Sequence, residues 1–245
     1  MEAVKITNLS KYYGKNRGIV DLDLTVPKGE FFGFIGPNGA GKSTTIRTLL
    51  GLIAPSGGNA KIFGMDIVKD KQAILQRVGY LPSEAAFYPG MKVKDVLKLS
   101  ADLRKKDCCA EAKSLCERLQ LDTARKVDEL SFGNRKKVSI VCALQHCPEL
   151  LILDEPTTGL DPQTRKLLWD VVKQLRLKEN MTVFLTTHYM EEAAEADYAV
   201  ILDSGKIAAE GTPLMLKNRY TGDFITLYGA SEEQIKPFGL PYEHL

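Results

Sequence analysis

A strand that runs straight into a glycine-rich turn constrains this chain more than any other feature. Glu30-Phe31-Phe32-Gly33-Phe34-Ile35 is a nearly continuous apolar run, the pattern of a central strand covered on both faces. Gly36-Pro37-Asn38-Gly39-Ala40-Gly41-Lys42-Ser43 follows at once and fits G-x-x-x-x-G-K-S/T. A helix is predicted from about Lys42 to Leu52. Strand, turn and helix in that order curl backbone N–H groups into an anion nest at the positive end of a helix. Gly36, Asn38, Gly39, Ala40, Gly41 and Thr44 belong to this nest. Lys42 is placed to reach β- and γ-phosphates, and the Ser43 hydroxyl to hold Mg²⁺.

The rest of the pattern is an α/β series. Val4–Ile6 and Val20–Val26 alternate apolar and polar residues and are predicted as half-buried strands. Short strands are expected at Ala60–Gly64 and Val78–Leu81, and two long helical faces between Val93 and Leu121. One face carries Val96, Leu97, Leu99 and Leu103; the other carries Ala112, Leu115, Cys116 and Leu119. A helix is predicted over Arg135–His146. Strand Leu150–Leu153, helix Pro162–Leu177, strand Thr182–Thr186, helix Met190–Ala196 and a hairpin from Tyr198 to Ala209 follow. Alternation of this kind implies a parallel sheet with a small antiparallel addition and an inserted helical block.

Two carboxylates close one strand: Leu150-Leu151-Ile152-Leu153-Asp154-Glu155. Open parallel sheets bind ligands at the carboxyl ends of their strands. Asp154 is therefore expected in the Mg²⁺ shell, and Glu155 is expected to orient or deprotonate the attacking water.

Composition narrows the partners. Among 245 residues, 33 Lys and Arg balance 31 Asp and Glu, a net charge of +2. That gives no electrostatic case for a dedicated nucleic-acid binder. No window approaches the roughly 18 consecutive apolar residues of a membrane span, and Met1–Lys5 lacks an apolar leader. The expectation is a cytoplasmic chain that reaches a membrane only through a partner. Five cysteines at spacings that match no metal motif are expected as reduced, mostly buried thiols.

With these residues in view, the chain from roughly Val4 to Gly211 resembles the nucleotide-binding domain of ATP-binding cassette (ABC) proteins. Leu130-Ser131-Phe132-Gly133-Asn134 stands where that family has L-S-G-G-Q, departing at Phe132 and Asn134. The resemblance implies a P-loop NTPase fold with a RecA-like core, an antiparallel β subdomain and an inserted helical subdomain at about 88–147. One domain is expected over 1–245, with a C-terminal extension from about 212. ATP and Mg²⁺ are the implied cofactors. In the family, two domains face head to tail, and each ATP lies between one phosphate loop and the other copy's signature segment. Ser131 and Gly133 would then contact phosphate across the interface, Asp161 would belong to a loop linking the two sites, and His188 would contact the γ-phosphate. Tyr13 resembles the residue that stacks on adenine, with Tyr12 as its competitor. Ser83 stands where the family has Gln, so either water bridges the gap or Glu84 substitutes.

The implied function is the ATP-hydrolysing subunit of an ABC transporter. Closure would join two copies, expected as a homodimer, beside a separate transmembrane permease at the cytoplasmic face. The Tyr-Leu-Pro and Phe-Tyr-Pro elements resemble the drug-export subfamily. The alternatives are a soluble ABC ATPase that regulates a ribosome or protein complex, and a module that holds ATP without turnover. Phe87, Tyr88, Pro89 and Met91 either form a socket for a partner helix or pack the subdomain boundary. The runs Arg104–Lys106 and Arg135–Lys137 are expected on solvated helix faces. Leu214, Leu216, Phe224, Ile225 and Leu227 are expected in a small helix and strand.

Overall fold

The computed structural model describes residues 1–220. Strands β1 (Glu2–Tyr13) and β2 (Asn16–Pro27) form a long hairpin, and β3 (Phe31–Ile35) leads into α1 (Lys42–Leu49). Strands β4 (Gly57–Ile62) and β5 (Met65–Asp66), helix α2 (Lys71–Arg77) and strand β6 (Val78–Leu81) follow. The helical block comprises α3 (Val93–Leu103), α4 (Cys109–Arg118) and α5 (Phe132–Leu144). Strand β7 (Leu150–Asp154), α6 (Pro162–Glu179), β8 (Thr182–Thr187), α7 (Met190–Ala193), β9 (Tyr198–Asp203), β10 (Lys206–Gly211) and α8 (Pro213–Tyr220) complete the series.

Two sheets result. The main sheet has the order β10-β9-β3-β8-β7-β6, parallel except for β10, and the second is antiparallel in the order β2-β1-β4-β5. Strand pleating divides the core between the two faces of the main sheet. Phe32, Phe34, Ile152, Phe184 and Val200 pack with the antiparallel sheet and α1. Phe31, Leu81, Leu151, Leu153, Val183 and Leu185 pack with the helical block and α6. Apolar side chains on both faces explain why these strands read as continuous apolar runs. The carboxyl ends of β3, β6, β7 and β8 share one edge, because these strands run parallel.

Several local expectations need correction. Leu99 and Leu103 are exposed, so the apolar face of α3 is Val93, Val96 and Leu97. That face follows where α5 packs, a tertiary fact that apolar spacing alone does not carry. Of the five cysteines, only Cys108 and Cys116 are fully buried, while Cys109 and Cys147 are exposed; all five are free thiols. Helix α2 was not foreseen, since its short length buries only Ile74. In α8, Leu216 is buried and Leu214 exposed. Phe224, Ile225 and Leu227 lie outside the described residues.

Candidate functional site

The turn after β3 is held from outside by close backbone approaches. A Cβ on Gly36 would stand 2.3 Å from the Leu202 carbonyl oxygen. Gly41 has φ +108° and caps α1, and a Cβ there would stand 2.6 Å from the Gly18 carbonyl oxygen. Only glycine fits where backbone meets backbone this closely. Lys42 is 5% exposed. Its ammonium donates to the carbonyls of Gly36 at 2.6 Å and Pro37 at 3.1 Å, so the side chain curls back over the turn it follows.

The end of β7 meets this turn. Asp154 is buried, and its Oδ1 accepts from Thr186 Oγ1 at 2.7 Å and faces Ser43 Oγ at 3.4 Å. Tyr80 on β6 lies beside the same carboxylate; burial, and then the Asp154 charge, push its phenol up to about 12. Glu155 sits in the left-handed region at φ +46°, a conformation that costs a non-glycine residue free energy and clusters at functional sites. Its N–H donates to the Thr186 carbonyl at 3.0 Å. Its Oε1 stands 3.7 Å from Lys42 Nζ and 3.4 Å from His188 Nδ1. Thr157 donates to Glu192 of α7, tying the loop after Glu155 to the helix after His188. Lys42, Ser43, Asp154, Glu155 and His188 thus converge. Ser43 and Asp154 offer hard oxygens of the kind that Mg²⁺ takes, directly or through water.

Ser131, Gly133 and Asp161 form a second group. Ser131 Oγ caps α5 by accepting from Asn134 N–H at 3.4 Å. Asp161 caps α6 by accepting from Thr164 N–H at 2.9 Å and Thr164 Oγ1 at 2.7 Å. The two caps adjoin: a Cβ on Gly133 would lie 3.8 Å from Asp161 Oδ2, and one on Gly159 would lie 2.7 Å from the Phe132 ring. Phe132 therefore leans on the loop before α6 within the same chain.

Tyr12 and Tyr13 end β1 and are about equally exposed. Position separates them. A Cβ on Gly18 would lie 3.2 Å from the Tyr13 ring and 3.0 Å from the Thr44 methyl. Tyr13 is thus the one next to the nucleotide-loop helix, while the Tyr12 N–H donates to Ser56. Ser83 is partly buried and Glu84 exposed. Phe87 and Met91 pack against the core, while Tyr88, 71% exposed, stays on the surface.

The charge run at Arg135–Lys137 is a correction. Lys136 is 1% exposed, and its ammonium donates to the carbonyls of Pro82 and Ser83, both at 2.7 Å. Composition alone hides such a lysine, because a run of cations reads as solvated. Tyr80 and Thr186 were also missed; a Tyr in an apolar strand and a Thr-Thr strand end carry little signal before the strands are aligned.

A glycine-framed anion nest, its buried lysine and a carboxylate pair on a parallel sheet define a P-loop NTPase. The family model described as ABC transporter matches residues 19–158. The chain belongs to that family as an ATP-binding domain, related to its drug-resistance and export ATPases. The bacitracin transport ATP-binding protein BcrA of Bacillus licheniformis is 38% identical over 211 residues, covering 84% of this chain and 69% of that one. The daunorubicin/doxorubicin resistance ATP-binding protein DrrA of Streptomyces peucetius is 37% identical over 234 residues, covering 92% and 70%. A solved ATP-binding subunit of an ABC transporter superposes with a TM-score of 0.82 at 29% identity, covering 96% of this chain and 98% of that one.

Proposed function

We propose that this chain hydrolyses ATP to power an exporter, working as a head-to-tail pair of copies beneath a separate transmembrane permease. The observation that carries the reading is the convergence of Lys42, Ser43, Asp154, Glu155 and His188 at one sheet edge. The names of the relatives, a bacitracin transport protein and a drug-resistance protein, support export. No helix among the described residues is long and apolar enough to cross a membrane, which suits a subunit that docks at the cytoplasmic face. Residues 88–147 serve as the helical subdomain within one domain.

Position supports the following roles. Backbone N–H groups of residues 38–44 cradle the phosphates, and Lys42 adds charge at the β- and γ-phosphates. Ser43 and Asp154 would hold Mg²⁺, which supplies charge neutralisation between those phosphates when bound. Glu155 Oε1 accepts a proton from the attacking water, and His188 keeps that carboxylate and the γ-phosphate in register. Tyr13 stacks on adenine. Ser131 and Gly133 serve the nucleotide of the other copy, as the family resemblance implies.

Co-purification from native membranes tests the reading. A stoichiometric polytopic membrane protein is expected, together with ATPase activity that Glu155→Gln removes. Recovery with ribosomes in place of a membrane protein would overturn the exporter assignment and favour a regulatory ATPase.

A further inference from the structure

We propose that Lys136 is a positioning residue that ties the signature helix to the turn after β6 and so sets where that turn stands against the Asp154–Glu155 pair. The proposal rests on the ATPase reading above and extends it to a residue outside the nucleotide-binding positions.

Three observations carry it. The Lys136 ammonium is fully buried, yet among the described residues no carboxylate pairs with it directly; its acceptors there are the carbonyls of consecutive residues, Pro82 and Ser83, each at 2.7 Å. Charge-assisted bonds to two adjacent carbonyls fix a turn in both position and orientation. Lys136 also lies on α5, the helix that Ser131 caps and that opens with Phe132 and Gly133. Any displacement of that helix therefore pulls on the 82–83 turn. Finally, the strand that delivers the turn also delivers Tyr80 to Asp154. The chain from signature to acid pair is then continuous: Ser131, α5, Lys136, the 82–83 turn, β6, Tyr80, Asp154.

Burial pushes the Lys136 amine down to about 8, while Asp154, Glu155 and Glu84 face it and oppose that shift. A buried cation with only carbonyl partners is costly to keep, so an apolar residue would be the cheaper choice if packing were all that was needed. The tether also bears on Ser83. Serine has a short reach, and a turn held through its main chain does not depend on that side chain for its placement.

Lys136→Met fills the space without donors, and Lys136→Gln keeps an uncharged amide NH2 on a shorter stem. In the purified chain, Lys136→Met is expected to lower kcat for ATP by about tenfold or more while KM changes by less than about threefold. Amide hydrogen exchange at residues 83–86 is expected to quicken by about tenfold, with exchange in α6 unchanged. Lys136→Gln should fall between wild type and Lys136→Met, and Lys105→Met, at an exposed lysine, should behave as wild type. Unchanged kcat in Lys136→Met, or faster exchange spread evenly over the whole domain, would overturn the tether. If Lys136→Met does not fold, Lys136→Gln decides by the same two measurements. If the wild-type chain turns over no ATP, the ATPase reading falls, and the exchange comparison still decides whether Lys136 holds the turn.

Discussion

Oε1 of Glu155 stands 3.7 Å from the ammonium of Lys42 and 3.4 Å from Nδ1 of His188. One carboxylate oxygen thus faces a cation from the phosphate loop and an imidazole from the end of β8. The backbone of Glu155 is turned into the left-handed region to present it there. Glu155→Gln keeps the shape but removes the proton acceptor. Steady-state ATP hydrolysis is expected to fall by about 100-fold or more, with ATP binding retained and an ATP-held dimer accumulating in size-exclusion chromatography. Hydrolysis at the wild-type rate would show that Glu155 is not the base.

His188 Nδ1 stands 3.4 Å from the same oxygen. His188→Ala is expected to lower kcat by roughly 10- to 100-fold, since a positioned acid–base partner contributes on that scale or above. Nucleotide affinity, followed with a fluorescent ATP analogue, should change little.

Tyr13 and Tyr12 offer a paired comparison. Tyr13→Ala is expected to weaken ATP binding by about 1 kcal/mol, the scale of an aromatic stacking contact, and Tyr13→Trp to restore it. Tyr12→Ala should leave affinity unchanged. The reverse result would move the stacking role to Tyr12.

Phe132 and Gly159 are coupled sterically. Gly159 has φ +73°, and a Cβ there would stand 2.7 Å from the Phe132 ring. Gly159→Ala is expected to cost about 1–2 kcal/mol of unfolding free energy from strain and clash together. Adding Phe132→Ala should recover about 0.5–1 kcal/mol, the clash component, as a double-mutant cycle in urea would measure. Strict additivity would rule out the contact.

Glu149 supplies a pH test of stability. Two bonds from Arg77, at 2.6 and 2.8 Å, and one from Lys28 at 3.0 Å hold its carboxyl down to about 2, with the Arg77 bonds the main cause. A carboxyl depressed in the fold stabilises it fully above its ordinary unfolded range and loses that contribution as pH falls from there toward 2. The pair is partly solvated, so the effect is about 1 kcal/mol or less. Glu149→Gln should therefore destabilise the protein at pH 7, with the gap to wild type closing as urea melts are repeated at falling acid pH. A gap that stays constant with pH would exclude the ion pairs as its source.

The parts of the protein that depend on short-range order can be read from the chain. Residues 36–43 must curl because the glycines permit it, and they must follow a buried strand because 30–35 is apolar throughout. Asp154 and Glu155 must lie at a sheet edge because the strand before them is apolar and they are not. Lys42 and Ser43 are marked in the same way by their neighbours in the chain, whereas Ser131 and His188 stand out only through the resemblance of their segments to the family's. Which distant groups share a point is settled by how the elements pack. Thr186 meets Asp154, Tyr13 comes near Thr44, and Phe132 leans on Gly159. Each of these depends on which strands are adjacent and how two helices end, and a linear pattern does not encode that. Lys136 shows the reason most plainly. In the sequence it is the middle member of a charged run, and solvation is the default for such a run. In the fold it points inward, because two carbonyls of a turn more than fifty residues earlier need a donor at that place. Local propensity sets the elements; the requirement that buried polar groups find partners sets which side chains leave the surface.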